Sequence, residues 1–181
     1  MTKRIFIVAF FLSFTLSSKA QFDTAFAKTN IRQCADSFVT AFKKKNWEMF
    51  TLYNNPAMVG TIGGKAEFMK YVEMMFSQIP DSSWKLYETG KILQVIKTDG
   101  DLQTVIELKS IIEWEGRRIT TISHLIGQSW NGGMFWTFFD NDGDRISAQL
   151  IKPDLSDQLI IPKKIEQVEP VLPQPKKKNI P

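Results

Sequence analysis

One histidine, one cysteine and a short acidic run are the residues of this chain whose chemistry stands out. His124 lies mid-way along an alternating segment, in phase with Ile122, Ile126 and Trp130. An imidazole there suits acid–base work near neutral pH if its face lines a cavity. Cys34 falls on an apolar helical stripe, which reads as a buried core position. A single cysteine makes no internal disulfide, and one His with one Cys excludes a zinc site of the usual nitrogen–sulfur kind. Asp140, Asp142 and Asp144 place carboxylates at alternate positions, as in a calcium loop. An EF-hand needs Gly at the sixth position and Glu at the twelfth, where this chain has Arg145 and Ile151. The run therefore reads as a polar turn, with the three aspartates a weak calcium candidate. Gly63-Gly64-Lys65 before a helix lacks the spacing of a phosphate-binding loop and reads as a tight turn. No motif implies a cofactor.

The elements that must position these residues divide the chain into helices first and strands second. Asp23 or Thr24 can cap a helix in which Ile31, Cys34, Ala35, Phe38, Val39 and Phe42 recur every three or four residues. Lys43-Lys44-Lys45 closes it. Asn46 can cap a short second helix bearing Trp47, Phe50 and Tyr53, with Pro56 beyond its end. Ala57 to Ile62 reads as a brief strand. A third helix carries Phe68, Val72, Met75, Phe76 and Ile79, and Pro80 stops it. The period then falls from 3.6 to 2. Strands are expected at 84–97, 102–114, 117–130 and 134–139, with a last one at 146–151. Short Gly-containing turns between them imply an antiparallel meander. A fourteen-residue strand at about 3.3 Å per residue spans roughly 46 Å. That is long for such a domain, so the strands must bend around the helices into a cone with a hollow interior.

The ends read differently. Met1-Thr2-Lys3-Arg4, the apolar run Ile5 to Leu16, and Ser18 and Ala20 at a cleavage site make a secretory signal peptide at residues 1–20. Its apolar run is too short to remain as a transmembrane anchor. The product is expected to be exported, to the periplasm or the exterior, with no stable membrane span. The domain is expected over 21–160. A Pro- and Lys-rich extended tail follows at 161–181, with neither helix nor ladder. The +4 net charge is largely terminal. Lys3, Arg4 and Lys19 leave with the signal, and residues 162–181 contribute five Lys against two Glu, which leaves the body at −2. A slightly acidic, exported body excludes nucleic acid as a partner.

The order of elements resembles the NTF2-like (SnoaL-like) superfamily of cone-shaped α+β domains, over roughly residues 24–151. The resemblance rests on Phe38 to Phe42 ending the first helix, the Asn46-Trp47-Glu48-Met49-Phe50 start of the second, and Pro56-Ala57-Met58-Val59. Gly64-Lys65-Ala66-Glu67-Phe68 opening the third helix and long strands with Trp130 and Trp136 near a turn complete it. It implies three N-terminal helices packed on a strongly bent antiparallel sheet, and a homodimer formed through the outer sheet face, where some of Trp130, Phe135, Trp136, Phe138 and Phe139 would sit. Isomerase-like members place a Tyr hydroxyl on the first helix and an acid just before the third. Here those positions hold Phe38 and Thr61 to Gly63, which have no such proton chemistry. The residues therefore favour a non-catalytic binding or accessory protein that takes a small apolar ligand or a protein partner. Trp47, Tyr53, Tyr71, His124 and Trp130 are the candidate pocket residues. The alternative is an isomerase- or dehydratase-type enzyme with His124 as its acid–base group.

Overall fold

A computed structural model describes residues 23–171; the signal-peptide reading of residues 1–20 and the lysine cluster 176–178 lie outside them. Four helices precede the sheet: α1 (Thr24–Lys43), α2 (Trp47–Tyr53), α3 (Pro56–Thr61) and α4 (Lys65–Ser77). Then come β1 (Trp84–Lys97), β2 (Leu102–Trp114), β3 (Arg117–Ser129) and β4 (Thr137–Asn141). They are followed by α5 (Arg145–Ile151) and β5 (Ile165–Pro170). The five strands form one open antiparallel sheet in the order β1-β2-β3-β4, with β5 pairing the part of β3 that β4 leaves free. This is the expected α+β class, with N-terminal helices on a bent sheet.

Local chemistry explains the element starts. The Asp23 carboxylate accepts the N–H groups of Ala25 and Phe26, and the Asn46 side chain accepts that of Met49. β1 bends through register irregularities between Trp84 and Leu86, Thr89 and Ile92, and Ile92 and Gln94. Bulges of this kind let a long strand coil around the helices. The β2–β3 hairpin closes on two residues, Glu115 and Gly116, both at positive φ (50° and 73°), the backbone that a tight right-twisted hairpin requires.

Three expectations need correction. Ala57 to Ile62 is not a strand: Asn55 caps Ala57, and Pro56 takes the first position of α3, where its missing N–H costs nothing. Residues 146–151 are not a strand either. The Asp144 carboxylate accepts the N–H groups of Ile146 and Ser147 and starts α5. The segment after Pro162 is extended but does join a ladder, Ile122 facing Ile165 and Arg117 facing Pro170. Pro162 and Pro170 leave seven consecutive residues with free N–H groups between them, and the bare lower edge of β3 needs those donors and acceptors.

The sheet has a core on each face. On the helical face, Ile31, Phe38, Phe42, Phe50 and Phe68 pack on Leu102, Ile106, Leu108, Leu125, Trp136 and Phe138. On the other, Val105, Ile126 and Phe139 are covered by Ala148, Leu155 and Leu159. The part of the outer face around Val105, Ile126 and Phe139 is thus covered by the chain's own C-terminal segment. Trp136, Phe138 and Phe139 are fully buried within one protomer, whereas Trp130 is exposed.

Candidate functional site

The helical face of the sheet changes character along its length. Near the β1–β2 turn it is closed against α1. Toward the other end α1 stops at Lys43, and an opening of about 270 Å³ remains between the helix ends and the start of β1. Phe42, Trp47, Phe76, Trp84, Leu86 and Tyr87 line it, with Lys43, Lys45, Lys85 and Asp81 alongside. The rings hold one another in place. Phe42 is the hub, with ring centroids 4.4 Å from Tyr87, 4.6 Å from Phe76, 5.1 Å from Trp84 and 6.1 Å from Trp47. Rings fixed by mutual packing present an apolar surface with little conformational entropy left to lose on binding.

Beyond Tyr87 the same face turns polar. Cross-strand pairing aligns Tyr87, Ser110 and Thr121 in one row, and Leu108 with Ser123 in the next. Asp140 faces Leu125 from β4. Burial raises the Asp140 carboxyl; a Ser123 hydrogen bond partly offsets this, and the Asp142 charge adds to it. Yet the residue is exposed. Burial, with the Asp140 charge, also raises the half-buried Tyr87 phenol far above its ordinary range, so it stays protonated.

His124 belongs elsewhere. It pairs with Glu107 and Asn141, on the face opposite Leu108 and Leu125. That face is covered by the C-terminal segment, and the Pro162 carbonyl lies beside the imidazole. His124 is 3% exposed, and its Nδ1 has no hydrogen-bond partner. The expectation that it projects into the cone is corrected by strand parity. Burial lowers its pKa, opposed by the Glu107 charge and the Pro162 carbonyl. The folded pKa therefore lies below the unfolded value of about 6.5, and the unfolded chain takes up the proton first. Stability from the neutral ring is full above that value and falls as pH drops through it toward the folded pKa. The melting temperature should accordingly fall between pH 7.5 and 5.5, and less so in His124→Gln. A wild-type melting temperature flat across this range would overturn the assignment.

The other candidates scatter. Trp47 lines the aromatic pocket. Tyr53 stacks on Phe135 and faces a shallow groove between α1 and α2. Tyr71, on α4, is exposed, and so is Trp130, at the opposite end of the strands from Trp84. Asp140, Asp142 and Asp144 do not converge: Asp142 bonds Lys164, and Asp144 caps α5. Among the described residues no group of three His, Cys, Asp or Glu is placed to hold a metal ion. Cys34 is buried in the core, which pushes its thiol up, with a backbone hydrogen bond at Trp136 in partial opposition.

Sequence reasoning did not single out Trp84 or Tyr87, and it read Asp140 only as part of an acidic turn. Trp84 and Tyr87 stand three apart, which on a regular strand puts side chains on opposite faces. The irregularity between Trp84 and Leu86 brings their rings to one side, 5.5 Å apart. Asp140 carried a signal, its parity with Phe138. No known family, curated protein or solved structure matches the chain.

Proposed function

We propose that this is an exported, non-catalytic NTF2-like domain that binds a small apolar ring compound in its aromatic pocket. The observation that carries the reading is the set of five aromatic rings around one opening of about 270 Å³. This is near the lower end of the size of small-molecule sites, which lie at roughly 300–1,000 Å³. Their mutual packing makes the surface preformed. The enzyme alternative loses its acid–base group, because His124 lies beneath the C-terminal segment on the other face. Pairing of two copies through the sheet would use the outer face beyond that segment, around Ile111, Arg118 and Thr120.

Trp47 and Trp84 make the pocket self-reporting. Titrating the purified protein with 2-naphthamide, a neutral ring compound, should change tryptophan emission saturably. Trp47→Ala and Trp84→Ala should each weaken binding by about tenfold, the effect of losing roughly 1.4 kcal/mol of contact. Trp130→Phe should leave it unchanged. Equal weakening by all three variants, or no saturable change, would refute the pocket.

A further inference from the structure

An aromatic box has two natural kinds of guest. Its π faces attract cations, and its apolar area attracts uncharged rings. The rim decides between them here. Lys43, Lys45 and Lys85 stand at the opening against a single pocket-lining carboxylate, Asp81. Asp81 is already engaged, with Lys45 Nζ 2.6 Å from its oxygen. Lys85 Nζ donates to the Ser82 carbonyl at 2.8 Å and lies 3.5 Å from Glu113. Lys43 has no carboxylate within 4.0 Å among the described residues. Inside, Tyr87 is a neutral donor rather than an anion, and Asp140, whose charge it feels, is not among the residues that line the opening. The lining therefore presents a net positive rim over an apolar floor. A cation entering the box meets three ammonium groups against one lining carboxylate, with Lys43 the ammonium that has no carboxylate partner among the described residues. An acid meets them as partners while its rings fill the floor.

We infer that the pocket selects an amphipathic organic anion: a ring skeleton that ends in an acidic group. The inference rests on the pocket reading above and adds the charge of the guest. Exposed pairings of this kind are each weak, but two or three act together on one acid and fall off steeply with salt.

Three isosteric probes test it: 2-naphthoate, 2-naphthamide and 2-naphthylmethylammonium, each titrated by tryptophan emission at low salt. Naphthoate should bind about fivefold or more tightly than the amide, and the ammonium most weakly. The preference should shrink at high salt. Lys43→Gln with Lys85→Gln should bring naphthoate to the affinity of the amide, the two probes being compared on the same variant. Equal binding of all three, or tightest binding of the ammonium, would overturn the anion inference and leave the pocket standing. Binding of none would overturn both.

Discussion

Lys152→Ala is expected to lower unfolding stability by about 3–5 kcal/mol, the usual consequence of stranding one half of a buried ion pair. Lys152 and Asp101 have side chains 2% exposed, with Nζ 2.6 Å from Oδ2. The same carboxylate accepts from Gln128 at 2.6 Å, from Thr98 at 2.6 Å and from Gln103 at 3.0 Å. Gln128 in turn accepts from Asn55 at 3.1 Å, so the network runs from the β1–β2 turn to the cap of α3. Burial alone would raise the Asp101 pKa; the hydrogen bonds from Lys152, Thr98 and Gln103 and the Lys152 charge outweigh it and hold the carboxyl below its ordinary value. That stabilisation is present above the unfolded carboxylate value of about 3.9, and is lost as pH falls through the folded one. Urea unfolding at pH 7 with an unchanged m-value measures the loss. Replacing both partners, Asp101→Leu with Lys152→Met, should not restore stability. It leaves the Gln128 amide without its acceptor and the Gln103 amide with only the Asp154 carbonyl. A Lys152→Ala loss below about 1 kcal/mol would mean that water enters and solvates Asp101.

How far the sequence carries the fold depends on which signal sets each feature. Capping side chains and period fix α1, α2, β1 and β2 closely. The two misread strands, 57–62 and 146–151, are short apolar runs in which period carries little information, and where Asn55 and Asp144 decide instead. The orientation of His124 was legible but needed one more step. A two-residue turn at Glu115-Gly116 sets Trp114 opposite Arg117, so every even residue of β3 faces an odd residue of β2. Leu102, Ile106 and Leu108 are even and line the helical core; His124 is therefore paired with Glu107 on the other side. The aromatic pocket was less accessible. Its Trp84 and Tyr87 share a face only through a local irregularity of β1, which alternation does not encode. The ladder of β5 was hidden for a different reason. Its pairing answers an open edge of β3 created by the shortness of β4, a demand visible only once the sheet is assembled.

Phe138→Ala is expected to cost about 3–5 kcal/mol, the range for deleting a buried aromatic ring. Phe138 is fully buried, and its ring meets Phe38 of α1 edge-on at 6.1 Å. Its carbonyl accepts the Asn55 N–H at 2.8 Å, which ties the short β4 to the junction between α2 and α3. The ring has a seat only because Gly127 lies opposite it. A Cβ there would stand 2.8 Å from a Phe138 ring carbon and 2.5 Å from the Thr104 methyl. Gly127→Ala alone should thus destabilise through overpacking by roughly 1–3 kcal/mol. Placed together, the two changes should cost less than their separate losses combined, because the added methyl enters space the ring has left. The relief is partial, since the Thr104 contact persists; adding Thr104→Ser should relieve it further. Additive losses would show that Gly127 does not form the seat of Phe138. The position has a consequence for Asp140 as well. Asp140 stands two residues along β4 on the same face as Phe138. A protein with Phe138 removed should therefore let β4 move, hydrate the Asp140 carboxyl and bring its pKa down toward the ordinary carboxylate value, a shift read by carboxylate NMR titration.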